Sequence, residues 1–362
     1  MSGALFVTRK FPPAVGGMET LAADVWATLR AGTSAPTRLI AHGGSVIALP
    51  WFMLRALVGT IRSVRLDGMD LVLTGDVVMY LLLRPVLRML KVRHATMAMG
   101  KDIVWANGLY QRALRAALPE APLVLAISAA TAEAARVSGV AADRVQVIRL
   151  GVEPPAADPT WAVARAALAE RHELPDGAVV LLSLGRLVRR KGVEWFIRSV
   201  LPGLPDNVVY LVAGTGEEAD SIAQAVNDEG QGDRVVLLGS VSAADREMLM
   251  RGADLFVQAN IEVPGDMEGF GLVAVEAAMR GACVVAADRE GLRDAVRDGE
   301  TGVLVPSGDA SAWQAVLNQL VAAPEELRER GERFAVACRS WYGREAMGRE
   351  LCSALGLPGG PA

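Results

Sequence analysis

The chain reads as an α/β protein of two domains, each a doubly wound parallel sheet with helices on both faces. Three observations predict this. Short apolar runs rich in valine, leucine and isoleucine alternate with helical stretches along nearly the whole sequence. A proline-rich connector, Glu153-Pro154-Pro155-Ala156-Ala157-Asp158-Pro159, interrupts the alternation once, and a second series starts after it. The length, 362 residues, exceeds what one hydrophobic core usually organises. We therefore expect a first domain over residues 1–150 and a second over 151–339. A ligand would sit at the carboxyl ends of the strands, in a cleft between the two.

In the first series, strand-like runs recur at Leu5–Thr8, Arg38–Ala41, Leu71–Thr74, Leu123–Ile127 and Val145–Ile148. Helical patterns cover Glu19–Leu29 and Ala129–Val137, the latter with Ser128 as N-cap. The loop before the first helix ends in Gly16-Gly17-Met18-Glu19. Its glycines either let a ligand approach the backbone or make an ordinary strand-to-helix turn, and Glu19 complements the helix N-terminus. Between Ser45 and His94 the chain is apolar but studded with arginine. Over residues 49–93 such basic amphipathic segments could lie on an anionic membrane surface. Alternatively, their apolar positions are domain core and the arginines its solvated rim.

The second series opens with a helix, Thr160–Arg171, and a strand, Ala178–Leu184. A basic loop follows, Gly185-Arg186-Leu187-Val188-Arg189-Arg190-Lys191-Gly192. Further strands are Val208–Ala213, ending in Gly214-Thr215-Gly216-Glu217, then Val235–Leu238, Leu255–Gln258 and Val284–Ala287. A terminal helix pattern, Glu325–Ala337, precedes a short tail.

Composition narrows the function classes. The chain is 52% hydrophobic and 22% charged, which suits a globular protein. A formal net charge of −4 argues against a general nucleic-acid binder. Cys283, Cys338 and Cys352 have no paired or metal-like spacing, as expected in a reducing compartment. The start, Met1-Ser2-Gly3-Ala4-Leu5-Phe6-Val7, lacks a signal peptide's basic start and long apolar core, and no uncharged apolar run reaches about 18 residues. A cytoplasmic protein is expected.

The stretch with the most chemistry is Glu268-Gly269-Phe270-Gly271-Leu272-Val273-Ala274-Val275-Glu276. A helix is expected from Gly271, running through the apolar Leu272–Met279 to Arg280-Gly281. A helix start built from glycine presents free N–H groups and the positive dipole end, which suits a phosphate. Eight residues at ~1.5 Å rise can separate the two carboxylates by up to ~12 Å, roughly a sugar and a ribose on either side of a diphosphate. The plainer alternative is a buried helix with one capping acid and one surface acid. Arg186 and Lys191, in the loop after the first strand of the second domain, could hold a diphosphate by a forked contact and a point charge. Arg189 and Arg190 read as solvated.

Together these motifs resemble glycosyltransferase family 4: Phe11-Pro12-Pro13 with Gly16-Gly17-Met18-Glu19, Gly185-Arg186-Leu187 with Arg190-Lys191-Gly192, Gly214-Thr215-Gly216, and Glu268-Gly269-Phe270-Gly271 with Glu276. The resemblance runs nearly end to end and is densest from Ala178 to Pro306. It implies the GT-B fold, two Rossmann-like domains facing an interdomain cleft. The tail, 340–362, would complete the first, acceptor-binding domain, and the second would bind the nucleotide sugar. By the same resemblance, Glu268 would hold donor-sugar hydroxyls, the N–H groups of Phe270, Gly271 and Leu272 would meet the phosphates, and Glu276 the ribose. Arg186 and Lys191 would neutralise the departing diphosphate, Gly16 and Gly17 would close over it, and Val241 would offer a backbone contact to the base.

Two places depart from the family. In Thr96-Met97-Ala98-Met99-Gly100-Lys101-Asp102-Ile103, Met99 stands where the family often has a histidine. Methionine donates no strong hydrogen bond. Sugar positioning would then fall to backbone groups, to Lys101 or Asp102, or to the acceptor. In Glu290-Gly291-Leu292-Arg293-Asp294 the family usually shows a glycine pair and a glutamate, whose acidic role Asp294 could keep.

The implied reaction is retaining transfer of a hexosyl unit from a GDP- or UDP-sugar to a hydroxyl of a glycan, lipid-linked or small-molecule acceptor. Departing phosphate oxygen would help deprotonate the acceptor, so positioning and charge stabilisation would carry catalysis. No Asp-x-Asp motif lies near the expected cleft loops, and we expect cationic side chains rather than a metal, with no cofactor. Expected partners are the donor and the acceptor, and no nucleic acid; contact with an anionic membrane surface through 49–93, at the inner face of the cell membrane, stays open beside the reading of that region as core with a solvated rim. The competing reading is a nucleotide-sugar-binding paralogue weakened in catalysis by Met99.

Overall fold

Two six-stranded parallel sheets carry the chain. The structure is a computed structural model that describes residues 3–14, 16–156 and 159–358, with the backbone alone at Val46. Ala157 and Asp158 of the expected connector, and residues 359–362 of the expected tail, lie outside the described residues.

The first sheet contains β1 (Gly3–Thr8), β2 (Thr37–Ala41), β3 (Met69–Thr74), β4 (Arg93–Ala98), β5 (Val124–Ala126) and β6 (Val145–Val147), in the order β2-β1-β3-β4-β5-β6. The second contains β7 (Val179–Leu184), β8 (Val208–Ala213), β9 (Val235–Gly239), β10 (Leu255–Gln258), β11 (Cys283–Ala287) and β12 (Val303–Val305), in the order β12-β11-β10-β7-β8-β9. Strand order therefore reverses at β1/β3 in one sheet and at β7/β10 in the other. The carboxyl ends at such switch points are where open parallel sheets leave a crevice.

The chain divides into two units. One comprises Met1–Glu153, Pro264–Gly269 and Tyr342–Ala362, the other Pro154–Val263 and Phe270–Trp341. The sequence reading put residues 264–269 in the second domain. They pack instead with the first unit: a Cβ at Gly269 would lie 2.4 Å from the Met99 carbonyl oxygen, and one at Gly265 2.8 Å from Ala106 Cβ. Both glycines permit an approach that a side chain would block.

Largely apolar strands bury both faces, which is why β8 reads as an unbroken hydrophobic run and β1 and β7 as runs broken only by Thr8 at an end and by Ser183. β4 was not anticipated as a strand. Its sequence, Arg-His-Ala-Thr-Met-Ala, lacks a β-branched apolar signature, yet Ala95–Ala98 are fully buried between β3 and β5. The C-terminal stretch is likewise a helix, Arg344–Ala354, packed on Gly17–Gly32. A Cβ at Gly32 would lie 2.8 Å from Cys352 Sγ, and Arg344 pairs with Asp24.

The arginine-studded region resolves into two different helices. Val77–Leu90 buries Met79, Tyr80, Leu83 and Leu87, while Arg84 and Arg88 pair with Glu120. This helix is core with a solvated rim. Leu49–Arg65 packs on it but leaves Trp51 77% exposed, with Leu54 and Val58 also exposed and Ile47 just before them.

Candidate active site

In the second unit, β7 ends in Gly185 and the chain turns through Arg186 to the short 3-10 turn Arg189–Lys191. What holds this loop is the exit of β8. The N–H of Leu187 donates to Thr215 O at 2.9 Å and that of Glu218 to Leu187 O at 3.0 Å. A Cβ at Gly214 would lie 1.8 Å from Gly185 O, and one at Gly216 2.1 Å from Leu187 O. Gly214-Thr215-Gly216 is thus a cradle for the loop that carries Arg186.

Beneath the loop, Ser183 Oγ donates to Val257 O at 2.6 Å, tying β7 to β10. A recess of about 20 Å³ opens there, lined by Ser183–Leu187, Lys191, Val193 and Phe256–Gln258. It lies at the β7/β10 switch point and brings Arg186, which is exposed, and Lys191, half-buried, to one place. Arg190 corrects the sequence reading: it is buried, and its carbonyl accepts from the N–H of Ile261 at 2.9 Å. Arg189 is exposed as expected.

The helix Leu272–Met279 starts at Gly271 in the left-handed region, φ 103°, with no side-chain cap. Glycine is required there on two counts, because a Cβ would also meet Leu292 Cδ2 at 2.6 Å. The same position lies 3.6 Å from Gln258 Nε2, and Gln258 lines the recess. Gln258 therefore lies beside both the helix start and the recess lined by the two cations, a placement its lone amide in a buried strand did not announce. Phe270 is buried and anchors the turn, while Leu272 opens the helix half-exposed.

Glu276 lies on the same helix and is paired with Arg246 through Oε2. Val241 immediately precedes Ser242, the N-cap of Ala243–Gly252. Asp294 is half-buried in the short helix Leu292–Ala295. The preceding turn holds Glu290 at φ 49°, with its carboxylate 3.0 Å from Arg289 Nε.

In the first unit, β1, β3 and β4 lead at their carboxyl ends into Arg9, Asp76 and the Met99–Asp102 turn. Gly16 precedes the helix Gly17–Gly32, and Glu19 in its first turn is buried and paired with Lys10 at 3.0 Å. A Cβ at Gly17 would meet nothing within 4 Å. Met99 is buried, not presented to a ligand as an imidazole would be. Lys101 pairs with Asp266 at 3.4 Å, within the segment that carries Glu268. Glu268 itself is half-buried.

Asp102 is buried among backbone groups. Its Oδ1 accepts from Met99 N at 2.8 Å and its Oδ2 from Val77 N at 3.0 Å. Asp76 is also buried; it caps the helix Val77–Leu90 through Met79 N at 2.8 Å and meets Arg9 Nε at 2.8 Å. Burial, and then the Asp76 charge, push the Asp102 carboxyl up to about 7. Burial also raises Asp76, against the pull of Arg9. Sequence reasoning missed Asp76 and Arg9, although an acid directly before an apolar helical run is an N-cap signal.

The model of the family described as group 1 glycosyl transferases matches residues 164–335. Those residues form a group 1 glycosyltransferase domain. The chain is 32% identical over 246 residues to a D-inositol 3-phosphate glycosyltransferase of Xylanimonas cellulosilytica, covering 65% of this chain and 56% of that protein. It is 38% identical over 154 residues to a phosphatidyl-myo-inositol mannosyltransferase of Mycobacterium leprae, covering 41% and 39% respectively. The chain thus spans about half the length, or less, of the curated relatives it matches.

Among solved structures, Anabaena HepE, crystallised with UDP and glucose, superposes with a TM-score of 0.78 at 18% identity over 98% of this chain and 100% of that one. Sucrose-phosphate synthase of Thermosynechococcus elongatus superposes at 0.77 and 20% identity, over 98% of each chain. Such identities establish the fold: two Rossmann-like units of GT-B type. The group 1 domain contains Arg186, Lys191, the Gly271 helix start and Glu276.

Proposed function

We propose that the chain is a retaining hexosyltransferase, moving a sugar from a nucleotide diphosphate to an acceptor hydroxyl. The observation that carries this reading is the arrangement at the β7/β10 switch point. Arg186 and Lys191 line one recess, and Gln258 lies beside both it and an uncapped helix start at Gly271. Two cations beside a helix N-terminus without a side-chain cap match a diphosphate leaving group, whose growing charge they stabilise. Glu268 takes the donor-sugar hydroxyls, the Phe270–Leu272 backbone the phosphates, and Val241 the base. Glu276 reaches the ribose after sharing or releasing Arg246. Gly16 and Gly17 close over the diphosphate, Lys101 assists the sugar and Asp294 keeps an acidic role beside the helix start. GDP- and UDP-sugars are the donors favoured by the names of the relatives, which include a GDP-mannose-dependent mannosyltransferase of Mycolicibacterium smegmatis and HepE with UDP-glucose.

A thermal-shift series with GDP-, UDP- and ADP-sugars tests the donor. The correct one at 100 times its Kd stabilises by about 2.7 kcal/mol, and the wrong bases leave the transition in place. No shift with any of the three removes the reading. Buried Met99 favours a second reading, a binding paralogue without transfer. Binding with no hydrolysis or transfer across a donor and acceptor panel selects it.

The acceptor side meets a membrane at the cytoplasmic face in this proposal. Among the described residues no helix is long and apolar enough to cross one. The region 49–93 narrows to the helix Leu49–Arg65, because Val77–Leu90 spends its apolar face on the core. Ile47, Trp51, Leu54 and Val58 recur at helical spacing on the exposed side, and Arg55, Arg62 and Arg65 accompany them without an acid from 43 to 66. The protein should sediment with anionic vesicles at low salt and be released by high salt, and Trp51→Glu should abolish the sedimentation. Equal recovery in the supernatant with and without anionic vesicles rules the contact out.

A further inference from the structure

At the carboxyl edge of the first sheet, three adjacent strands lead into a row of charged groups, Arg9 after β1, Asp76 after β3 and Asp102 after β4. Two buried carboxylates face one guanidinium. Asp76 caps a helix through Oδ1, and its Oδ2 lies 2.8 Å from Arg9 Nε in an ion pair whose geometry makes no hydrogen bond. Asp102 instead spends both oxygens on backbone, one on Met99 N at the exit of β4, the other on Val77 N at the start of a helix. Its own carbonyl accepts from the Tyr110 hydroxyl. Asp102 is thus a brace between two elements.

What the brace holds is the turn on which residues 264–269 rest. Gly100 has φ 89°, and a Cβ there would lie 3.0 Å from Gly269 Cα and 3.2 Å from Met267 Cγ. A Cβ at Gly269 would strike the Met99 carbonyl oxygen. The backbone on either side of Glu268 therefore follows wherever the Met99–Gly100 turn is placed. We infer that Asp102 is a positioning residue: by fixing the Met99 and Val77 amides it sets the turn that seats Met267 and Gly269, and so the placement of Glu268. This goes beyond the sequence expectation of Asp102 as a sugar contact, which its burial among backbone donors does not fit. The inference rests on the transferase reading only for its activity arm.

The groups facing this carboxyl are Asp76, Arg9 and the Tyr110 hydroxyl, with the Lys101–Asp266 pair on the neighbouring turn. A carboxyl raised from an unfolded value near 3.8 to about 7 lets the folded state bind the extra proton between those limits. Its contribution to stability is therefore full below about 4, is lost as pH rises towards 7, and is constant above.

The test is Asp102→Asn, which keeps the shape but turns one acceptor oxygen into a donor. The amide of Met99 or Val77 then loses its partner. We expect amide exchange at that site to accelerate by about tenfold or more relative to its neighbours in β4. Turnover should drop by about tenfold while affinity for the free nucleotide diphosphate is unchanged, since the two cations and the helix start assigned to it lie on the second unit and Gly16 and Gly17 are not held by Asp102. Wild-type exchange at both amides overturns the inference, as does unchanged turnover in a variant whose exchange has changed. If the wild-type protein transfers no sugar, the transferase reading fails and the exchange result decides alone. Should the variant not fold, the wild-type protein serves: the amides of Met99 and Val77 should exchange at least about tenfold more slowly than their intrinsic rates, and unprotected amides sink the proposal.

Discussion

Lys191→Ala should lower kcat by about 10²–10³, the loss seen when one preorganised charge stabiliser is removed from a transition state. In ground-state binding the diphosphate's charge is shared with solvent and the open helix start, so donor Kd should move far less than kcat. Charge on the leaving oxygen grows only as the glycosidic bond breaks, and an interaction made mainly there appears in turnover. Lys191 is the better placed of the two cations for this role. It ends a short 3-10 turn whose amide is held by Val188 O at 2.9 Å, and it is half-buried, whereas Arg186 is exposed. Lys191→Arg should recover only part of the loss, because a planar fork does not replace a compact ammonium at the same distance. Near-normal turnover in Lys191→Ala would remove this residue from the mechanism.

Gly214→Ala should destabilise the second unit by about 3–5 kcal/mol and lower its transition by roughly 10 °C. Two costs add. The backbone sits at φ 141°, where a side chain is strained, and the new Cβ would be 1.8 Å from Gly185 O. The neighbour is backbone, so it cannot rotate away. Relief requires β7 and β8 to part at their carboxyl ends, which moves the loop carrying Arg186. Donor affinity should therefore fall even at temperatures where the variant is fully folded. Gly232→Ala is the matched control: nothing lies within 4 Å of its Cβ, and its effect should stay within about 0.5 kcal/mol. A Gly214→Ala protein that melts with the control would mean that the strand ends are far softer than their contacts indicate.

Five strands of the second sheet were legible because buried parallel strands leave continuous apolar runs and glycine stops; β12, three residues long, was not read as a strand. Leu255–Gln258 was read with the bounds it has, and the helix Leu272–Met279 was bounded correctly from its glycines alone. Ser128 caps its helix as read, accepting from Thr131 N at 3.1 Å. β4 failed because alanine, threonine and methionine carry no strong strand preference, and its burial comes from its neighbours in the sheet. The tail joins the first unit from Tyr342 on, as the family resemblance implied, but its helix went unread, since the apolar face of Arg344–Ala354 has meaning only against the Gly17–Gly32 helix, over 300 residues earlier in the chain.

The sequence by itself determined the α/β class, the two series of strands, the glycines that open the helix at Gly271, and the cations after β7. Each is a local pattern, written within a few residues and readable without partners. Tertiary structure alone decided the fate of residues whose role depends on distant neighbours. Arg190 is buried rather than solvated, Glu276 is paired with Arg246, and residues 264–269 rest on the Met99 turn. Asp102 braces that turn from within, with a burial and charge environment assembled from β1, β3 and β4. Its electrostatics depend on distances across the sheet, and those arise only when the strands pair.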